Sequence, residues 1–293
     1  MILCAGEALI DMLPRETAEG TAFLPVPGGA VLNTAIALGR LGAPVAFHSG
    51  VSTDLFGARL TDALAASGVE DRTARSDRPT TLAFVTLSDG QASYAFYDEG
   101  TAGRMLSPED APDMAGVTAL FVGGISLAVE PCARTYEALA LAHPDLPLMI
   151  DPNVRPSFVR DEAAYRARLA RLIAAADVVK LSDEDMGWLG LDAATVLAQG
   201  PRVLCLTEGA RGVRAITAAG EVHVPARRVE VVDTVGAGDT FNAGFLAGLH
   251  RAAALSKEPP AEDALHAALS LGVAAAAITV SRAGANPPWA REL

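Results

Sequence analysis

The sequence predicts an α/β domain in which a largely parallel sheet is covered by helices on both faces. Three observations lead there. Short apolar runs that read as strands alternate with longer Ala- and Leu-rich stretches of helical periodicity. The runs are apolar enough for strands buried on both faces. Half of the 293 residues (51%) are hydrophobic, enough to bury a large core in one unit.

Taken in order, strands are predicted over 2–8, 45–51, 119–122, 148–151, 178–181 and 203–207, and helices over 31–41, 55–67, 132–142, 162–175 and 240–254. Two stretches break the alternation, 13–27 and 80–97, and both read as antiparallel strands. In the second, Leu82, Phe84 and Thr86 fall on one side and Ala83, Val85 and Leu87 on the other. Ser88-Asp89-Gly90 turns the chain, and Tyr94 and Phe96 return on a common face. No helix covers this hairpin. It should form a small separate sheet, either lidding a site or pairing with a second copy of the chain as a homodimer. The expected organisation is one domain over 1–293 with a lid built from about 13–27 and 80–98, and a surface loop near 256–260.

Composition narrows the function. The net charge of -12, from 23 Lys and Arg against 35 Asp and Glu, opposes a nucleic-acid surface, which must neutralise phosphates. No run reaches the roughly 18 apolar residues of a membrane span, and the Ala-rich stretch at 273–280 is too short. The first residues carry no basic leader, so the expected compartment is the cytoplasm, with no membrane partner. Cys4, Cys132 and Cys205 are too scattered for a disulfide framework or a zinc site and read as buried thiols. A phosphorylated cosubstrate would have to be met locally by backbone N–H groups, a few Arg or Lys, and Mg²⁺.

The most informative run is Val231-Val232-Asp233-Thr234-Val235-Gly236-Ala237-Gly238-Asp239-Thr240-Phe241-Asn242-Ala243-Gly244. A strand is expected to end near Val232 and a helix to begin at about Asp239. Two glycines between them allow tight backbone geometry, so N–H groups and the positive end of a helix dipole converge where an anion can sit. As a plain helix cap, Asp239 would leave the glycines and Asp233 unexplained.

Asp233, Thr234, Gly236, Ala237, Gly238, Asp239 and Phe241 match the carboxy-terminal signature of the ribokinase-like (PfkB) carbohydrate kinase family, which this chain resembles over nearly its whole length. Val235 stands where many relatives carry Thr. The resemblance implies a three-layer α/β/α fold with a mostly parallel central sheet and a small β-sheet lid. It further implies ATP and Mg²⁺, with Asp239 deprotonating the acceptor hydroxyl and the backbone of Gly236, Ala237 and Gly238 stabilising the transferred phosphoryl group. That division of labour suits phosphoryl transfer, which needs alignment and charge stabilisation more than covalent chemistry.

A second signature, Gly28-Gly29-Ala30-Val31-Leu32-Asn33, resembles the family's amino-terminal Gly-Gly motif. It implies sugar contacts from Gly28, Gly29 and Asn33, with Asp11 binding two sugar hydroxyls. Asp151-Pro152-Asn153-Val154-Arg155, at the end of a predicted strand, resembles a run that lines the site in fructokinase-like members and points to Asn153 and Arg155; a turn with a surface Arg is the other reading. For the nucleotide the resemblance implies Lys180, Ser182, Thr207, Gly209 and Gly212, and for Mg²⁺ an indirect, water-mediated role of Asp185. Helix capping accounts for Ser182 and Asp183 equally well, and an unliganded turn for 207–212. Asp233 and the loop 280–285 resemble a monovalent-cation site, which makes K⁺ a further candidate.

In motif detail the chain is closest to bacterial fructokinases. Asp98 stands where relatives acting on 2-keto-3-deoxygluconate often carry Arg, which favours a neutral sugar, fructose, over a carboxylate. The expected reaction is ATP-dependent phosphorylation of a sugar primary hydroxyl. The alternatives are another sugar or nucleoside kinase of the family and a non-catalytic sugar-binding regulator.

Overall fold

A computed structural model describes residues 1–88 and 91–293, with side chains described outside 85–94. In chain order the first half comprises β1 (Ile2–Ala5), β2 (Leu9–Thr17), β3 (Gly20–Gly28), α1 (Ala30–Arg40), β4 (Val45–His48), β5 (Gly50–Ser52), α2 (Leu55–Ala66), β6 (Glu70–Asp71), β7 (Ala74–Ser76), β8 (Leu82–Ser88), β9 (Gln91–Tyr97) and β10 (Ala119–Gly123). There follow α3 (Cys132–Leu141), β11 (Leu148–Asp151), α4 (Glu162–Ala175), β12 (Val178–Ser182), α5 (Asp183–Leu189), α6 (Ala193–Ala198), β13 (Val203–Thr207), β14 (Val213–Thr217), β15 (Gly220–Val224), α7 (Ala237–Arg251) and α8 (Glu262–Val280).

The central sheet runs β15-β14-β13-β12-β11-β10-β1-β4-β6. It is parallel from β6 to β13, and β14 and β15 close one edge antiparallel. Period-two side chains sort the core into two layers. Ile2, Cys4, Phe47, Phe121 and Cys205 pack with Val31, Leu38, Phe245 and Leu269 of α1, α7 and α8 on one face. Leu3, Ala5, Leu120, Ile150 and Leu204 pack with Tyr136 and Leu169 of α3 and α4 on the other. The result is the three-layer, mostly parallel architecture expected. All three cysteines are buried and free.

The lid is larger than the patterning predicts. β1 stops at Ala5 instead of running to residue 8, and after Gly6-Glu7-Ala8 the chain re-enters strand at Leu9, so the first hairpin spans 9–28 instead of 13–27. β8 then pairs in parallel with β2, Asp11 opposite Ala83, and the two hairpins merge into one sheet in the order β3-β2-β8-β9. Leu9 and Ile10 drive this, since both are buried against the main domain while the far end of the hairpin is exposed. Asp11 thereby sits on a lid strand. Of the expected turn, Asp89 and Gly90 lie outside the described residues, as do the side-chain faces of Val85, Thr86, Leu87 and Tyr94.

A second difference lies before α7, where no strand forms at Val231 and Val232. After β15, the last strand of the sheet, the chain leaves the sheet without adding to its free edge, and both valines are exposed. The N–H groups of Val232 and Asp233 instead donate to Val280 O at 2.8 and 3.2 Å, tying the approach of α7 to the end of α8. The two helices are packed closely: a Cβ on Gly244 would lie 2.6 Å from Gly272 Cα, and one on Gly248 2.5 Å from Ala268 Cα. By length and composition α8 is apolar enough to cross a membrane, although it contains no unbroken apolar run of that length; 44% of its most apolar window is buried inside the protein, much of it against α7.

Candidate active site

The lid side of the site is built from a carboxylate and two glycines. Asp11 is on β2, and Gly28, opposite Leu9 at the end of β3, passes directly over it. A Cβ at Gly28 would lie 2.0 Å from Asp11 Oδ2, so no other residue leaves that carboxylate in place. Gly29 has φ +107 and would put a Cβ 2.8 Å from Glu7 O, which also favours glycine. Burial pushes Asp11 up to about 6.

Across from it, α7 begins two residues earlier than expected, at Ala237, with Gly236 as its cap in the left-handed region (φ 78, ψ 2). Asp239 is therefore in the first turn and is not the cap. Its carboxylate serves another element: Asn33 Nδ2 on α1 donates to Asp239 Oδ2 at 2.9 Å, and Thr34 Oγ1 donates to Asp239 O at 3.3 Å. The two glycine signatures, about 200 residues apart in sequence, thus meet in one hydrogen bond. Asp239 is buried, which pushes it up to about 7; Asn33 and Lys180 pull it down, and Asp151 and Glu7 add to the rise.

Below Gly238 lies Lys180, its Nζ 3.5 Å from where a Gly238 Cβ would be and 3.1 Å from Asp151 Oδ2. Burial opposes its charge, but Asp151 and Asp185 outweigh it and hold the ammonium above its ordinary pKa. Asp185 is buried and fully engaged: Oδ1 accepts Val154 N–H at 2.8 Å, and Oδ2 accepts Ser182 N–H and Ser182 Oγ–H, each at 2.8 Å. This is a reciprocal capping box at the start of α5. Asn153 adopts a positive φ of 42, its N–H donating to Asp151 Oδ1 at 3.1 Å, and Arg155 is exposed.

The remaining predicted residues are spread along the carboxyl ends of β12 and β13. Thr207 pairs with Ser182 across those strands. Gly209 borders open space, whereas Gly212 is pressed against the β15 backbone, where a Cβ would lie 2.2 Å from Val224 O, so packing alone accounts for it. Asp233 Oδ1 accepts Val235 N–H at 3.0 Å and Oδ2 accepts Gly284 N–H at 2.9 Å, which brings it to the loop 280–285.

A buried carboxylate facing a glycine-flanked helix start, with an ammonium beneath and a second carboxylate on a lid, can align a hydroxyl with a phosphoryl group. The description pfkB family carbohydrate kinase matches residues 1–291. The chain belongs to this family. The chain is a phosphotransferase acting on a sugar hydroxyl. It is 51% identical to a fructokinase of Rhizobium leguminosarum bv. trifolii over 259 residues, 85% of this chain and 79% of that one. The fructokinase with bound ATP from Xylella fastidiosa superposes with a TM-score of 0.88 at 33% identity, covering 97% of this chain and 93% of that one. A fructokinase from Vibrio cholerae O395, in fructose, ADP and potassium ion bound form, gives 0.84 at 25% identity, over 97% and 93%.

Within this pfkB scaffold the structure adds Glu7, Asp151 and Asn242 to the residues expected from sequence. Asn242 follows Asp239 by three positions, a spacing that puts both on one face of α7, and Asp151 ends a strand of a parallel sheet. Those two signals were available in the sequence. Nothing there marks Glu7, whose carboxylate accepts the N–H groups of Ala30 (3.1 Å) and Ser126 (3.3 Å) from distant segments.

Proposed function

We propose that this protein transfers the γ-phosphoryl group of ATP to the primary hydroxyl of fructose, giving fructose 6-phosphate, with Asp239 as the base. The observation that carries the reading is the Asn33 to Asp239 hydrogen bond, which aims a buried carboxylate of raised pKa between the sugar-side lid and the start of α7. Asp11 takes two sugar hydroxyls, and Gly28, Gly29, Asn33 and Asn153 line the sugar. Asp239 accepts the hydroxyl proton, the sugar oxygen forms its bond to phosphorus, and the bond to the β,γ-bridging oxygen breaks as ADP leaves. The N–H groups of Gly236, Ala237 and Gly238, with Lys180 beneath, meet the charge on the transferred group, and Arg155 guards the rim. Ser182, Thr207, Gly209 and Gly212 border the nucleotide.

Mg²⁺, when bound with the nucleotide, would supply charge neutralisation for the phosphates. Among the described residues no three His, Cys, Asp or Glu side chains gather into a cage, which suits an ion carried by the nucleotide and water. Asp185 then acts only indirectly, through Ser182 and Val154. Asp233 and the loop 280–285 are the proposed K⁺ site. Fructose is preferred because fructokinases are the similar proteins, and because Arg104, one of the two arginines (with Arg155) that could meet a substrate carboxylate, is already committed to Asp98 at 2.9 Å. That pairing also neutralises Asp98, so exclusion of acids comes from an occupied cation more than from a free anion. We further propose a cytoplasmic enzyme that pairs with a second copy through the lid, whose Phe23, Leu24 and Tyr97 are exposed.

The experiment is ADP release from Mg-ATP with fructose, 2-keto-3-deoxygluconate, ribose and adenosine, with K⁺ or Na⁺, on enzyme whose mass is read by light scattering. Fructose is expected to exceed the others in kcat/KM by at least roughly tenfold. Preference for the keto acid would overturn the substrate, equal rates in K⁺ and Na⁺ the cation site, and a monomeric mass the lid pairing. No turnover with any sugar would leave a binding protein.

A further inference from the structure

Beneath the glycine-flanked start of α7 lies a buried polar cluster only partly used by the proposed reaction. Asp151 is 2% exposed, Lys180 4% and Asn242 1%. Asp151 Oδ2 receives both the Lys180 ammonium at 3.1 Å and Asn242 Nδ2–H at 2.7 Å, while its Oδ1 receives the Asn153 amide at 3.1 Å. Asn242 Oδ1 has no partner among the described residues. A buried carbonyl without a donor costs stability, and an apolar side chain of similar size would fill the space without that cost. What the asparagine contributes is a fixed Asp151.

Asp151 in turn fixes Lys180. An ammonium has three donors, and Asp151 is its one ion-pair partner among the described residues. Its Nζ stands 3.5 Å from the place a Cβ on Gly238 would take, and among the described residues no other atom from outside α7 comes within 4 Å of that point, so its remaining donors border the open side of that glycine. Asp239 is faced by Asn33 from α1, Lys180 from β12, Asp151 from β11 and Glu7 beyond β1. The two carboxylates favour its protonated form, and Asn33 and the ammonium its ionised form.

We propose that Asp151 and Asn242 are positioning residues for phosphoryl transfer: they hold the Lys180 ammonium against Gly238, where it meets the charge on the transferred group, and they set the field in which Asp239 takes its proton. The inference rests on the reading of Asp239 as the base. Its test is the pH profile of kcat/KM for fructose across roughly pH 5 to 9 in Asp151→Asn, Lys180→Met and the double variant. Asp239→Asn and thermal unfolding are measured alongside.

The acid limb moves down in Asp151→Asn and up in Lys180→Met, each on the order of one pH unit, and kcat falls at least about tenfold in both while KM for fructose changes little. Lys180→Met strands Asp151 as a buried unpaired charge; the double variant removes that charge and regains stability without regaining turnover. Limbs that stay put or move the same way would overturn the inference, as would a double variant that recovers turnover along with stability, because the pair would then be a structural salt bridge. A persisting acid limb in the residual activity of Asp239→Asn sinks instead the assignment of Asp239 as base, whatever the other variants do.

Discussion

Asp11, on the lid, accepts no hydrogen bond from any described side chain or backbone group, and burial alone pushes it up to about 6. Asp185, at the start of α5, accepts three. Both are acidic residues near the same site, but one has acceptor capacity left for a ligand and the other has given its capacity to the fold. An unsatisfied, half-buried carboxylate is tolerable only where something with hydroxyls or charge arrives to complete it. Asp239 stands between these extremes. It is buried like Asp185, yet it has a single side-chain donor, Asn33, which leaves room to accept a proton.

The comparison breaks first at Asp239. Asp239→Asn should lower kcat by on the order of 10²–10⁴, measured as ADP release under saturating fructose and ATP. The same change should stabilise the protein at alkaline pH. With a folded pKa of about 7 against an ordinary 3.8, the folded state binds more protons than the unfolded chain between those values. Stability therefore falls as pH rises through that window and is lowest above it. Removing the carboxylate should restore on the order of 1–4 kcal/mol above about pH 7 and little below about pH 4. Thermal unfolding at both ends of the range checks this. An equal shift at both ends would mean that Asp239 is not held protonated by its surroundings.

The next effect belongs to the lid. Asp11→Ala should raise KM for fructose by roughly 10–100-fold, from the loss of charge-assisted hydrogen bonds, and leave KM for ATP within about twofold. Gly28→Ala, which would set a methyl 2.0 Å from Asp11 Oδ2, should reproduce that pattern without touching the carboxylate itself. In the parent enzyme fructose affinity should weaken as pH falls below about 6, where Asp11 gains its proton. If both variants instead raised KM for ATP, Asp11 would belong to the nucleotide side.

What could be read in the sequence follows the same division. The six inner strands, β4, β1 and β10 to β13, were legible because burial on both faces writes continuous apolar runs, whereas β6, β14 and β15 at the two edges are short or half exposed and were not predicted. The glycine signatures were legible because close backbone contacts and left-handed φ leave few residues to choose from. Lid boundaries were not, because Leu9 and Ile10 are as apolar as the strand before them and only the Gly6-Glu7-Ala8 break separates the two. Val231 and Val232 read as a strand because β-branched residues favour one, yet the segment is tied to the end of α8 through Val280 O instead of pairing with a strand. Lys180 was marked as a candidate in the sequence, but Asp151, its partner, and Asn242, which holds Asp151, were brought to it by the register of β11 on β12 and by α7, which local patterning does not encode.

The smallest effect is expected at Asp185, where it sharpens the contrast with Asp11. Asp185→Asn keeps the shape but turns one acceptor into an NH₂ group, which must face either the Val154 amide or the Ser182 donors. A donor facing a donor in a buried site should cost about 1–3 kcal/mol of folding stability. The Mg²⁺ concentration for half-maximal rate should move less than about threefold, since both oxygens of the carboxylate are already taken by Val154 and Ser182. Denaturant unfolding and a Mg²⁺ titration of the same preparation separate the two roles. Unchanged stability with a large rise in the Mg²⁺ requirement would move Asp185 from the fold to the metal, and the contrast with Asp11 would become one of ligand type instead of one between binding and capping.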